Sequence, residues 1–169
     1  MFEHSAKEEL SKVAPLAARM RPKTFEDFIG QEKVIGSNSI LRRNLNNGNV
    51  PSMILWGPPG SGKTTLANLI SKSSKMALEN LSAVTSGVSE IKASIKEAEN
   101  RLAMNRKRTI LFIDEIHRLN KSQQDVVLPY VENGIITLIG ATTENPSFEV
   151  IAPLLSRSQV FKLNQLDSA

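Results

Sequence analysis

Apolar positions along the chain switch between two spacings, and the switches mark out successive elements. "SMILW" at 52–56 is a short unbroken apolar run, the pattern of a strand buried on both faces. "KTTLANLISKSS" at 63–74 changes to helical spacing. "MALENL" at 76–81 predicts a second strand. "SEIKASIKEAENRLAM" at 89–104 predicts a helix with Ile91, Ile95, Ala98 and Leu102 on one face. "RTILFIDE" at 108–115 is too apolar to be half exposed and predicts a central strand. "NKSQQDVVLPYVENG" at 120–134 predicts a helix ending at Asn-Gly, with Pro129 as the place where it would kink. "IITLIGATT" at 135–143 predicts another central strand and "QVFKL" at 159–163 a short last one. Ahead of these, "NSILRRNLNNG" reads as a short helix with Asn38 as N-cap and Gly48 as stop. A polar arm opens the chain, followed by an Arg-Pro and a Gly-Gln turn. Five strands with intervening helices predict a doubly wound α/β domain with a parallel sheet.

Between the first strand and its helix lies "GPPGSGKTT". Gly57 to Thr64 fits G-x-x-x-x-G-K-[ST], a Walker A loop, in the required context of strand before and helix after. In such a loop backbone N–H groups wrap phosphate, and the positive end of the helix faces it. Side chains would obstruct that approach, hence glycines at 57, 60 and 62. Pro58 and Pro59 have no N–H to give, so the donors run from Gly60 through Ser61, Gly62, Lys63 and Thr64 to Thr65. Lys63 would reach the β- and γ-phosphates, and the Thr64 hydroxyl would bind Mg²⁺.

The strand "ILFIDE" ends in Asp114 and Glu115, at the carboxyl edge where open α/β sheets bind ligands. Asp114 would hold Mg²⁺, and Glu115 would orient and polarise the attacking water. The pair favours hydrolysis of ATP over transfer. Thr142 and Thr143 end the neighbouring strand, where a hydroxyl would bond the γ-phosphate or the water; closing a strand with a β-branched pair is the competing account. Arg157 precedes the last strand and would reach a neighbouring subunit's phosphate as an arginine finger, or is an ordinary surface arginine. His117 is a packing or network residue rather than a catalyst. The cluster Arg106 to Arg108, with Arg101 nearby, could meet nucleic-acid phosphates, but a solvated helix end is the favoured account, because no aromatics interleave to stack bases.

Composition adds bounds. A chain of 169 residues is about one domain, and its 40% hydrophobic content suits a globular fold. With no cysteine, disulfides and thiolate metal sites are excluded, which suits a reducing cytosol. The charged N-terminus has no apolar h-region, so no secretory signal is expected, and no run is long enough to span a membrane. The net charge of +4 permits an anionic partner without demanding one.

Four blocks together resemble the clamp-loader-like AAA+ ATPases: "PLAARMRPKTFEDFIGQ" at 15–31, "PSMILWGPPGSGKTTLA" at 51–67, "RTILFIDEIHRLNKSQQDVVLPYVENG" at 108–134 and "ITLIGATTENPSFEVIAPLLSR" at 136–157. "DEIHRLNKSQQD" and "GATTENPSF" narrow the resemblance to the replication-associated recombination protein A family and its eukaryotic relatives, the Werner-helicase-interacting ATPases. The resemblance implies an adenine pocket from Arg21, Pro22, Phe28, Ile29 and Gly30, and Thr143 as the sensor-1 residue, with Thr142 in its place if the register is off by one. It implies that Ser156-Arg157-Ser158 stands for the clamp-loader Ser-Arg-Cys motif. It also implies ATP with Mg²⁺ bound between subunits of a homo-oligomer, DNA at stalled or gapped forks as partner, a single-strand-binding protein or clamp nearby, and a cytoplasmic, nucleoid-associated location.

On this reading residues 1–14 are an N-terminal arm and 15–166 the large AAA+ subdomain, with the lid and oligomerisation domains missing. Such a core is expected to be monomeric, to bind nucleotide weakly and to turn over little. The leading function is the core of a DNA-dependent ATPase in fork maintenance, recombination and repair. A branch-migration motor of the Holliday-junction type shares the "GATT" strand but lacks the "ENPSF" continuation. The alternative from another class is a nucleotide-controlled switch or scaffold recruiting replication partners, against which intact Glu115 and Arg157 argue. A small-molecule kinase would need an acceptor site that the sequence does not display.

Overall fold

The computed structural model describes residues 31–36 and 39–165. The arm at 1–14 and the adenine-pocket positions Arg21, Pro22, Phe28, Ile29 and Gly30 lie outside the described residues, as does Asn38. The elements run α1 (Glu32–Ile35), α2 (Ile40–Asn46), β1 (Met53–Trp56), α3 (Lys63–Ser74), β2 (Ala77–Ser82), α4 (Val88–Asn105), β3 (Thr109–Asp114), a 3-10 turn (Ile116–Arg118), α5 (Lys121–Glu132), β4 (Ile136–Thr142), α6 (Pro146–Glu149), α7 (Ala152–Ser156) and β5 (Gln159–Lys162).

All four strand pairings are parallel, in the order β2-β3-β4-β1-β5. β3 and β4 are interior, as their unbroken apolar runs predict. The two-residue period of a strand divides their side chains between two cores. Met53, Leu55, Ile110, Phe112, Ile139 and Ala141 meet Leu41 of α2 and Leu66, Leu69 and Ile70 of α3 on one face. Ile54, Leu111, Ile113 and Leu138 meet Ile91 and Ile95 of α4, Val127 of α5 and Leu154 of α7 on the other. Strands covered on both sides are apolar throughout. The chain runs one way along the sheet from β1 to β2 and the other way from β2 through β3 and β4 to β5, so right-handed crossovers put α3 on one face and α4, α5 and α7 on the other.

Several local expectations are corrected. The N-cap of α2 is Ser39, whose Oγ accepts from the Arg42 N–H at 3.2 Å. On α4, Ile91, Ile95 and Ala98 are buried, but Leu102 in the last turn is 36% exposed, beyond the packed part of the sheet. Helix α5, by contrast, ends at its C-cap Asn133 as the Asn-Gly pair predicts, with Pro129 inside it. Both Pro129 and Asp125, whose carbonyl loses its donor, sit on the exposed side, where water replaces the bond. Asn120 caps this helix reciprocally with Gln123, at 2.8 and 2.9 Å.

Helix α4 is held at its start by Glu90, whose Oε2 accepts from the Gly87 N–H at 2.8 Å and from Ser89 Oγ at 3.1 Å. Backbone N–H groups, first its own and then that of Gly87, hold the Glu90 pKa below its ordinary 4.5, with Ser89 adding to them. A carboxyl with a depressed folded pKa stabilises above its unfolded value and loses that effect as pH falls through the folded one. Glu90→Ala is therefore expected to lower the melting temperature at pH 7 and to converge on the unmodified protein in acid. Equal losses at pH 7 and pH 3 would refute this.

Candidate nucleotide site

The register sets the end of β1 beside the end of β4, Trp56 opposite Thr142, and the Gly57 N–H donates to the Thr142 carbonyl at 3.0 Å. The Walker A loop thus leaves the sheet next to the threonine pair. β3 pairs with β4 on its other side, with Ile113 opposite Gly140, so Asp114 and Glu115 emerge at the same edge. A cleft of about 320 Å³ results, lined by the loop from Pro59 to Thr65 together with Asp114, Glu115, Ala141, Thr142 and Thr143.

The glycines in the loop serve different ends. Gly60 and Gly62 have φ of +78° and +90°, a backbone region in which a Cβ is strained. A Cβ on Gly57 would meet the Leu163 carbonyl oxygen at 2.8 Å and Ser61 Oγ at 2.9 Å, so its constraint is the chain leaving β5. The N-cap of α3, Gly62, offers no side-chain bond. The N–H groups of the first turn, at Lys63, Thr64 and Thr65, lack helical acceptors and face the cleft. Lys63 Nζ donates to the Gly57 and Pro58 carbonyls at 2.7 and 2.9 Å and to Ser61 Oγ at 3.3 Å. Burial pulls its pKa below 10.5, partly offset by the Asp114 carboxylate.

Free N–H groups, a lysine and an open glycine cradle fit a polyphosphate. Thr64 Oγ and the Asp114 carboxylate fit Mg²⁺, which keeps most of its waters and takes one or two carboxylates with substrate phosphates. Among the described residues no group of three or more His, Cys, Asp or Glu gathers as a metal site.

Glu115 follows β3 with φ +54° and ψ +47°, a left-handed conformation unusual for a residue with a Cβ. Its N–H bonds Asp114 Oδ1 at 3.0 Å. The next residue, Ile116, is fully buried against Gly140, where an added Cβ would lie 2.8 Å from Ile116 Cδ1. The strand end and this anchor together hold Glu115 in its turn. His117 is a network residue as expected, since its Nδ1 lies 2.9 Å from Thr142 Oγ1. The buried Thr142 hydroxyl also accepts from the Glu144 N–H at 2.9 Å. The Thr143 side chain is exposed at the cleft and has no hydrogen-bond partner among the described residues.

Arg157 does not line the cleft. It follows α7, more than half exposed, and pairs with Glu132 at 3.5 Å.

One residue of the site escaped the sequence reading. Gln31 is 3% exposed, and its Nε2 donates to the Ser61 carbonyl at 3.1 Å and to the Asn164 carbonyl, while Oε1 accepts from the Asn164 N–H at 3.1 Å. It ties the Walker A loop to the strand leaving β5. No spacing rule exposes it, because its partners are backbone atoms 30 and 133 positions away. Gln31→Ala leaves those groups unpaired and is expected to cost about 1–3 kcal/mol in urea denaturation. Faster amide exchange at 60–65 should accompany the loss. Unchanged stability and exchange would count against the tie.

The parallel sheet, the phosphate loop and the paired acids at adjacent strand ends define a P-loop nucleotide-binding domain of the AAA+ class. Within that class the chain belongs to the family described as the Holliday junction DNA helicase RuvB P-loop domain, matched over residues 20–152. It is 54% identical over 154 residues to the replication-associated recombination protein A of Escherichia coli K12, covering 91% of this chain and 34% of that protein. It is 55% identical over 153 residues to ATPase WRNIP1 of Dictyostelium discoideum, covering 90% of this chain and 17% of that protein. The resemblance drawn from the four sequence blocks is thereby borne out. The chain spans about a third of the length of the bacterial relatives it matches. Among solved structures it is similar to the Thermotoga maritima RuvB Holliday junction branch migration motor, at 34% identity and a TM-score of 0.67, covering 85% of this chain and 48% of that one.

Proposed function

We propose that this chain is the ATP-binding and ATP-hydrolysing core of a DNA-dependent AAA+ ATPase working in replication-fork maintenance, recombination and repair. The observation that carries the chemistry is the meeting of loop N–H groups, Lys63, Asp114 and Glu115 in one cleft. The names of its relatives carry the biological setting.

In this reading the N–H groups from Gly60 to Thr65 grip the polyphosphate. Lys63 exchanges the Gly57 and Pro58 carbonyls for β- and γ-phosphate oxygens. Mg²⁺, held by Thr64 and Asp114, supplies neutralisation of the phosphate charge. Glu115 aligns and polarises a water whose oxygen attacks the γ-phosphorus as the bond to the ADP oxygen breaks. Thr143 bonds the γ-phosphate or that water. Arg157, remote from its own cleft, acts on ATP bound to a neighbouring subunit of a homo-oligomer. The adenine-framing roles of Arg21, Pro22, Phe28, Ile29 and Gly30 complete the proposal. Gapped or forked DNA is the partner, with a single-strand-binding protein or clamp alongside and a cytoplasmic, nucleoid-associated setting.

Phosphate release from Mg·ATP by the protein at the length of its bacterial relatives, with and without a duplex carrying a single-stranded gap, tests this. A DNA-dependent rise supports it. A flat response with ATP still bound overturns the DNA-directed reading.

A further inference from the structure

A second cleft, of about 380 Å³, opens at the amino edge of the sheet, opposite the nucleotide site. It lies among the turns leading into β1, β2 and β3. Lys75, Arg106, Lys107 and Arg108 make up half of its lining, and no carboxylate contributes. All four are exposed, and none has an ion-pair partner among the described residues. Arg101, which the sequence groups with them, is spent elsewhere, on Glu79 at 2.9 Å and Thr109 at 2.8 Å. The cleft also concentrates the chain's charge. Setting these four aside leaves 17 of the 21 lysines and arginines, which balance the 17 acids.

The backbone supplies an independent observation. Lys75 and Arg106 are the residues that end α3 and α4, and both are left-handed, with φ of +59° and +52°. Glycine takes that position freely, and helices commonly end with it there. A cation gains from the helix dipole at an exposed end, but the left-handed cost to a residue with a Cβ is at least as large. Capping alone therefore does not select a long cation at either turn, yet both turns carry one, and both face the same cleft.

We propose that this cleft holds the phosphate backbone of nucleic acid, at a site distinct from the one that binds ATP. The claim rests on the DNA-directed reading above and says which surface makes the contact. Flexible cations without aromatic neighbours suit sequence-independent phosphate contact rather than base reading. Met76 is the one apolar side chain among the lining residues, too little to anchor a peptide's apolar side chains. β2 and β3 separate the two clefts by roughly 20 Å of strand, so ATP and nucleic acid can be bound at once.

The test is the double variant Lys75→Gly with Arg106→Gly. Glycine suits both left-handed turns, so the fold survives while two charges are lost. Anisotropy of a labelled duplex with a single-stranded gap is followed across salt concentrations. Affinity should fall on the order of tenfold, and the log–log salt slope should shrink by about 2. Thermal stability should hold or rise, and ATP binding should be unchanged. Full affinity and an unchanged slope in the variant overturn the cleft alone. Failure of the unmodified protein to bind any DNA overturns the cleft and the DNA-directed reading together. Binding of polyglutamate but not the duplex, lost in the variant, assigns the cleft to an acidic protein and overturns the proposal.

Discussion

Glu115→Gln is expected to lower ATP hydrolysis by roughly 10²- to 10⁴-fold, the range a positioned general base contributes, while nucleotide affinity stays close to that of the unmodified protein. Glutamine keeps the size and the backbone geometry but cannot polarise water as a carboxylate does. The neighbouring Asp114 does not substitute, because one of its oxygens accepts the Glu115 N–H. A companion change separates chemistry from strain. With φ at +54°, Glu115→Gly should raise stability by about 1 kcal/mol through relief of the left-handed cost, and it should abolish turnover as the glutamine does. Single-turnover phosphate release and thermal denaturation read the two effects. Turnover that survives in Glu115→Gln would remove Glu115 from the mechanism. A glycine variant less stable than the parent would show that the turn is not strained.

Lys63→Met should weaken nucleotide binding by roughly ten- to a hundredfold, since a hydrogen bond to a charged group contributes about 1.5–3 kcal/mol. Without nucleotide, the ammonium is the donor to the Gly57 and Pro58 carbonyls and to Ser61 Oγ. Gly57 and Ser61 are buried and only Pro58 is exposed, so the variant should also start from a somewhat lower melting temperature without nucleotide. The readout is the rise in melting temperature on adding Mg·ATP, present in the parent and largely absent in the variant. A pH arm follows from the depressed Lys63 pKa. Between the folded pKa and the unfolded 10.5 the unfolded chain binds more protons, so stability without nucleotide rises with pH across that window. The methionine variant should lack this rise. A full ATP-dependent shift in Lys63→Met would refute the assignment.

Much of the site was legible because it is local. The Walker A pattern occupies eight consecutive positions of the sequence, with the strand directly before it and the helix beginning at its Lys63. Asp114 and Glu115 were legible because a strand buried on both faces must be apolar until it reaches solvent, so the first acids mark its carboxyl end. Helix caps were less legible, as Ser39 in place of Asn38 illustrates, since neighbouring polar residues compete for a cap on equal terms. The short α6 and α7 escaped because neither is long enough to show a helical period.

The sequence by itself determined the order of elements, the parallel sheet and the phosphate loop, because each follows from spacings of a few residues and from the absence of side chains where backbone must approach a ligand. Only the tertiary structure brought Gln31 to the Ser61 carbonyl, Leu163 against Gly57, Arg157 to Glu132, and Lys75 into one cleft with Arg106. Those meetings depend on which strands become neighbours. In a sheet ordered β2-β3-β4-β1-β5, residues far apart in the chain share an edge that no local pattern records.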